Sequence, residues 1–431
     1  MKVLLVGNGA REHAVAERLA QDCDLYAVMS KKNPAIAQLS KEFWICDIEN
    51  PNEVRDVIEG KDFDLGFSSP DGTLAAGITD VLAESMLVAS PSKAASRIEW
   101  DKSFMRNLME EHKIQGIPDL IVTTSPDEAL KFIKEQEMVA VKPIGLTGGK
   151  GVKISGDHFD SYEEACQYAE SLIKKDGMVL VEEKLVGEEF TLQAFCDGSR
   201  IVTMPPVQDH KRAFVGDKGP NTGGMGSYST GPNLPFLENG DIETAKKIMT
   251  DVIHALKKAD APFTGILYGQ FIVTAKGIRV IEFNARFGDP EAMNVLSLLE
   301  GSLSDVFLSM AEGQIQPPKF SNDSTVVKYL VPDGYPTNPK KDVPVEINDT
   351  DLENSGAKVF YASVYENQGT VYTTSSRAFG ILGKAPAIED AQRIAESACS
   401  LIKGPLWHRE DIGTKELIGR KIEHMRSLRG V

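Results

Sequence analysis

The sequence predicts an α/β protein in three parts. These are an N-terminal doubly wound parallel-sheet domain over residues 1–100, a larger mixed section over 101–316, and a small C-terminal mixed β/α domain over 317–431. Three observations predict it. A chain of 431 residues is long enough for roughly two to four domains with large cores. Short apolar runs alternate with helical patterns through the first part, the signature of a parallel sheet covered on both faces. Gln316-Pro317-Pro318 then breaks the pattern, and mainly short strand-like runs follow.

The apolar run 2–6 reads as the first strand and ends in Gly7-Asn8-Gly9, with a helix over about 11–20. Strands are expected near 25–29, 63–67 and 86–89, with helices near 51–59 and 74–85. Gly7-Asn8-Gly9-Ala10-Arg11-Glu12 is not a dinucleotide fingerprint, because Glu12 stands where the third glycine belongs. What remains is a helix N-terminus with Arg11 beside it, which suits an anion. A helix over about 101–112 leads into a small lobe, about 115–190. That lobe has strands at 119–123, 138–142, 151–155 and 178–183 and helices at 126–136 and 161–175. Hairpin-like strands at 189–196 and 200–207, a long loop, and a helix at 241–260 come next. Strands at 265–273 and 278–284 precede helices at 290–298 and 303–313. The last part has strands near 324–331, 343–347, 357–365 and 379–383 and a helix at 388–402. It carries few candidate catalytic groups and is expected to close over the site.

Composition narrows the function. A net charge of −16 argues against a nucleic-acid surface, so cations for anionic substrates must be concentrated locally. Five cysteines without Cys-x-x-Cys spacing read as reduced thiols of a cytoplasmic protein. No apolar run is long enough to span a membrane. We expect a monomer that acts on small molecules, with neither nucleic acid nor membrane as a partner.

Val280-Ile281-Glu282-Phe283-Asn284-Ala285-Arg286-Phe287-Gly288-Asp289-Pro290-Glu291 is the most informative segment. Glu282 and Asn284 are two apart on a strand and leave the same face, where a carboxylate and a carboxamide oxygen suit a hard cation. Arg286 follows at a distance that lets it reach a phosphate oxygen beside that metal. In Val139-Ala140-Val141-Lys142-Pro143-Ile144-Gly145-Leu146-Thr147-Gly148-Gly149-Lys150-Gly151, a strand delivers Lys142 and a glycine-rich flap follows. The spacing is not that of a P-loop; a flap folding over a triphosphate fits better. Gln208-Asp209-His210-Lys211-Arg212 and Gly219-Pro220-Asn221-Thr222-Gly223-Gly224-Met225-Gly226 lie in the long loop, and a loop of that length in a compact domain is usually functional or disordered.

In this order these segments resemble the phosphoribosylamine–glycine ligases of the ATP-grasp superfamily. The resemblance runs from Gly7-Asn8-Gly9-Ala10-Arg11-Glu12-His13 to Trp407-His408-Arg409-Glu410-Asp411-Ile412-Gly413. It implies an ATP-grasp fold and ATP-dependent joining of glycine to 5-phospho-β-D-ribosylamine through glycyl phosphate, giving glycinamide ribonucleotide, ADP and phosphate in purine biosynthesis. It implies ATP as cosubstrate, bound by Lys102, Lys142, Gly148, Gly149, Lys150, Glu182, Glu183, Leu185 and Glu189, with backbone near Glu182 on adenine and Glu189 on ribose. Mg²⁺ or Mn²⁺, one or two ions, would sit on Gln270, Glu282 and Asn284. Arg286, Lys142 and Lys211 would act in catalysis. Gly9, Arg11, Asp209, His210, Lys211, Arg212, Asn221, Gly223, Gly224, Asp289, Pro290 and Glu291 would hold the substrates. His210 reads as a positioning residue more readily than as a general base. The chain departs from the family at Ala10, at Lys31-Lys32-Asn33-Pro34-Ala35 and at Gly72, all near the expected amine-substrate site, where Lys31 or Lys32 would replace a backbone contact.

Overall fold

The computed structural model describes residues 1–145, 151–238 and 240–430. The N-terminal sheet is parallel, in the order Glu42–Ile45, Asp24–Met29, Lys2–Val6, Leu65–Ser68, Leu87–Val88. Alternation along the first strand sends Val3 and Leu5 to one core and Leu4 and Val6 to another, so both faces are covered. Chain order reverses beside this strand, and Gly7-Asn8-Gly9 emerges at its C-terminal end, where open α/β sheets bind ligands.

The helix expected at 74–85 is two, Asp71–Ala76 and Ile78–Leu82, because Gly77 at φ 92° breaks the hydrogen-bond ladder. Helices Pro34–Leu39 and Lys93–Trp100 were not anticipated; Asn33 and Ser92 cap them through side-chain oxygens.

The small lobe is an antiparallel sheet in the order Leu120–Thr123, Val179–Glu183, Val139–Lys142, Lys153–Ile154. Helices Pro126–Gln136 and Tyr162–Asp176 bury Ala129, Ile133, Ala165 and Ala169 against Val139, Val141, Val179 and Val181. The facing lobe is the antiparallel sheet Ile201–Thr203, Gly187–Asp197, Thr264–Thr274, Gly277–Asn284, backed by helix Asp241–Lys258.

The segment read as a long loop is structured. Gln208–Asp209 and Gly226–Ser229 join a sheet with Ser324–Pro332, Phe379–Ala385 and Lys358–Tyr361, while Arg212–Phe214 and Lys218–Asn221 form a hairpin. The strand expected at 357–365 is two, Lys358–Tyr361 and Val364–Asn367, and a C-terminal helix, Lys415–Arg429, follows the last predicted element. Among the described residues no helix is long and apolar enough to cross a membrane.

Candidate active site

Two strands build the floor. In the antiparallel register of Thr264–Thr274 with Gly277–Asn284, Gln270 pairs with Glu282 and Tyr268 with Asn284. The three proposed metal ligands are thus neighbours on two rigid strands. Their donors are carboxylate and carboxamide oxygens, a set that fits a hard divalent cation. Among the described residues no cluster of three His, Cys, Asp or Glu side chains could hold a metal, so any such site here needs the two carboxamides.

Cations surround Glu282. Burial alone would raise its carboxyl, but Lys211, Lys102, Lys142 and Arg286 hold it below the usual carboxylate range. Lys211 donates to Gln270 Oε1 at 2.6 Å, and Gln270 donates from Nε2 to Glu189 Oε2 at 2.6 Å. Burial opposes the charge on Lys211, yet Glu282, Glu189, Asp209 and Glu291 raise it above an ordinary lysine. It remains a cation throughout the working pH range.

The small lobe brings Lys142. Lys142 is buried and donates to Glu182 Oε2, while Arg106 donates from Nε to Glu182 Oε1 at 2.6 Å. Arg106 also donates to the carbonyls of Val280 (3.2 Å) and Ile281 (2.9 Å), just before Glu282. Glu182 therefore faces inward and ties the two lobes together. Glu183 accepts from the Asp119 N–H at 3.0 Å, and Leu185 lies in the short connection between strands Val179–Glu183 and Gly187–Asp197. Lys102 opens helix Lys102–Glu111, and its ammonium donates to the Gly145 carbonyl at 3.0 Å. Gly148, Gly149 and Lys150 lie outside the described residues.

Arg286 is held from two sides. Its guanidinium donates to Asn284 Oδ1 at 3.2 Å and to the Phe287 carbonyl at 3.1 Å, and lies 3.0 Å from Glu99. Arg11 donates to the same Phe287 carbonyl at 3.1 Å. Arg11 therefore touches the segment that carries Arg286. Gly9 gives its N–H to Glu12 Oε2 at 2.7 Å, so the Glu12 carboxylate satisfies the N-cap donor at the helix start. Lys32 is paired with Glu366 at 3.3 Å. Asn33 is buried and donates to the carbonyls of Asn8 (3.0 Å) and Tyr361 (2.9 Å).

Opposite lies an acidic pair. Burial and the charge of Glu291 push Asp209 well above the usual carboxylate range, despite Lys211 and Arg377. Glu291 accepts from Thr191 (3.0 Å) and Tyr268 (2.9 Å). Gly224, at φ +109°, packs so closely that a Cβ would fall 2.6 Å from Asp209 Oδ1 and 2.7 Å from Pro290 Cδ. Pro290 caps helix Glu291–Leu298.

The residues on either side of Lys211 face elsewhere. Arg212 donates to Asp157 of the small lobe at 2.6 Å, and it pairs with Asn221 across the hairpin. The His210 ring is buried, and neither nitrogen has a hydrogen-bond partner among the described residues. Burial and the nearby Arg409 lower it to about 3. It is a neutral imidazole, not a proton carrier at working pH.

Two contributors escaped the sequence reading, and both correct the view of a chemically poor C-terminal part. Arg377 donates to the carbonyls of Gly223 (2.7 Å), Gly224 (3.0 Å) and Asp289 (3.2 Å) and pairs with Asp289 at 3.0 Å. Its guanidinium stacks 4.3 Å from the centroid of the Tyr329 ring, whose hydroxyl donates to Asp289. Only an unusual Ser-Ser-Arg before an apolar strand marks Arg377 in the sequence.

Comparison with known proteins agrees with this geometry. Family models described as the N, ATP-grasp (A) and C domains of phosphoribosylglycinamide synthetase match residues 1–99, 100–292 and 325–415. The phosphoribosylamine–glycine ligase of Methanosarcina barkeri is 48% identical over 441 residues, covering 100% of both chains. That of Pyrococcus horikoshii is 44% identical over 432 residues, covering 99% of this chain and 98% of its own. The crystal structure of the Thermotoga maritima phosphoribosylamine–glycine ligase superposes with a TM-score of 0.82 at 25% identity, covering 96% of this chain and 100% of that one. The biotin carboxylase domain of the Hydrogenobacter thermophilus 2-oxoglutarate carboxylase shares the fold, with a TM-score of 0.72 at 15% identity and coverage of 99% and 93%.

Proposed function

This chain belongs to the phosphoribosylglycinamide synthetase family of ATP-grasp ligases, and we propose the following division of labour in its site. It joins glycine to phosphoribosylamine at the expense of ATP, a step of purine biosynthesis. ATP lies between the two lobes. Backbone around Glu182, Glu183 and Leu185 holds adenine, Glu189 holds the ribose, and Lys102 and Lys142 hold the phosphates. A divalent cation, Mg²⁺ or Mn²⁺ and one ion or two, rests on Glu282, Asn284 and Gln270; when bound it neutralises phosphate charge.

Glycine enters between Arg286 and the acidic pair. Its ammonium adds counter-charge between Asp209 and Glu291, which supports that placement because Glu291 and burial keep the Asp209 carboxyl raised even with Lys211 and Arg377 nearby. Its carboxylate is then turned toward the γ-phosphate. Attack forms glycyl phosphate and releases ADP; Arg286, Lys211 and Lys142 offset the charge on the transferring group. Arg11 and Gly9 hold the phosphoribosylamine beside Phe287. Its unprotonated amine attacks the acyl carbon, forms the amide and expels phosphate. Catalysis is mainly positioning and charge neutralisation.

The observation that carries this reading is the ring of Lys211, Lys102, Lys142 and Arg286 around Glu282 on the Gln270–Glu282 strand pair. ADP release assayed with glycine alone, phosphoribosylamine alone and both together tests it. Fast, stoichiometric release with both is expected. Equal turnover when glycine is replaced by another small carboxylic acid would contradict it.

A further inference from the structure

We propose that Glu99 is a positioning residue for phosphoryl transfer and acts through Arg286. The inference rests on the reading of Arg286 as the phosphate clamp. Glu99 sits on helix Lys93–Trp100, which packs against strand Gly277–Asn284, and it is only 6% exposed. Its two oxygens act on adjacent residues. Oε2 accepts the Ala285 N–H at 2.8 Å, and Oε1 lies 3.0 Å from the Arg286 guanidinium. The turn leaving the metal-binding strand is thus fixed both at its backbone and at its functional side chain.

The contact with Arg286 is one of charge. Neither Glu99 Oε1 nor Arg286 Nε has a hydrogen-bond partner among the described residues. A buried carboxylate held this way keeps the arginine in place without taking up the N–H groups that Phe287 and Asn284 leave over, and those remain for an anion. The same guanidinium touches Asn284 Oδ1 at 3.2 Å, an oxygen assigned above to the metal. Without the Glu99 charge, the acceptor left beside that nitrogen is the Asn284 oxygen. Loss of Glu99 would therefore tilt Arg286 toward the metal ligand and away from the phosphate. The next helix begins at Lys102, three residues on, so one short segment anchors both the arginine and a nucleotide lysine.

Glu99→Gln keeps the size and, through its amide oxygen, the Ala285 contact, and it puts an uncharged amide NH2 where the charged oxygen faced Arg286. We expect kcat to fall by about 10- to 100-fold with the KM for ATP changed less than about twofold, the pattern of an interaction felt in the transition state. Mn²⁺ affinity, read by the paramagnetic signal of free Mn²⁺ without nucleotide, is expected to drop by about threefold or more as Arg286 engages Asn284. In a double variant with Arg286→Lys, the Glu99 change adds less than about threefold to the loss from Arg286→Lys alone, because coupled residues do not add. Glu99→Asp restores the charge and recovers part of kcat; if Glu99→Gln does not fold, Glu99→Asp takes its place in the cycle. Wild-type kcat in Glu99→Gln, or losses that multiply in the double variant, overturns the inference. A fully active Arg286→Lys would instead overturn the reading of Arg286 itself.

Discussion

Removing Arg377 is predicted to impair glycine binding, although the residue lies in the C-terminal part of the chain. Its guanidinium holds three carbonyls, at Gly223, Gly224 and Asp289, and the Asp289 carboxylate. Arg377→Ala strands all four acceptors. Breaking a buried ion pair costs about 3–5 kcal/mol, and the lost carbonyl bonds overlap with that figure. The Arg377 and Asp289 side chains are 15% and 21% exposed, so partial solvation favours the lower end, about 3 kcal/mol. The cost falls on the packing of Gly224 against Asp209 and Pro290, which aligns the proposed ammonium site. At about 1.4 kcal/mol per tenfold, the KM for glycine is expected to rise about 100-fold. The KM for ATP is expected to stay within about threefold, since none of the residues proposed to hold ATP is among the Arg377 partners. Arg377→Lys recovers only part, because one ammonium cannot serve the carbonyls with one nitrogen and the Asp289 carboxylate with another, as the guanidinium does. Steady-state ADP release at saturating phosphoribosylamine is the assay. A glycine KM near wild type, or an equal rise for ATP, would refute the reasoning.

Other expectations rest on single groups. Glu182 is a buried carboxylate between Arg106 and Lys142, so Glu182→Ala is expected to destabilise the protein by about 3–5 kcal/mol in chemical denaturation. Burial raises its carboxyl, but Arg106 and Lys142 lower it further, below its unfolded value. Its contribution is therefore complete above the unfolded value, about pH 4.3, and is lost as pH falls through the folded one. Melting curves of wild type and Glu182→Gln will keep a constant gap from pH 8 to about pH 5 and converge below; a gap independent of pH contradicts this. With His210 lowered to about 3, the pH–rate profile contains no limb from it near neutrality, and His210→Asn keeps the profile's shape. A limb near pH 6.5 that vanishes in the variant would restore His210 as a base. Arg11→Ala is expected to raise the KM for phosphoribosylamine by about 10-fold or more, the loss of a charge-assisted phosphate contact. A larger rise for ATP would move Arg11 to the nucleotide side.

The parts of the molecule legible in the sequence are those with local signals. Alternating strands and helices announce the N-terminal sheet, and the two-residue spacing of Glu282 and Asn284 announces one face of a strand. Opposition of Gln270 and Glu282 follows from a hairpin whose arms are both visible as apolar runs. Long-range pairings are not legible. Gly226–Ser229 reads as a glycine-rich loop because its partner is Ser324–Pro332, far along the chain. Arg377 and Glu99 look like ordinary surface charges until the fold buries them beside Asp289 and Arg286. The orientation of His210 depends on alternation within a segment whose strand character comes from that same distant pairing. Helix Lys415–Arg429 is polar over most of its surface, and Leu417, Ile418, Ile422, Met425 and Leu428 alone mark the side packed on the core.

Glu282→Gln tests the account most directly. The change preserves shape and removes the single formal charge among Gln270, Glu282 and Asn284. Three neutral oxygens then remain for a doubly charged hard cation, which prefers carboxylates. Measured at ordinary Mg²⁺, kcat is predicted to fall by at least about 100-fold, with metal-free nucleotide affinity unchanged and a folded protein by melting. Raised Mg²⁺ recovers part of the loss. A folded Glu282→Gln enzyme with near-normal turnover at ordinary Mg²⁺ would show that the metal does not rest on this strand pair.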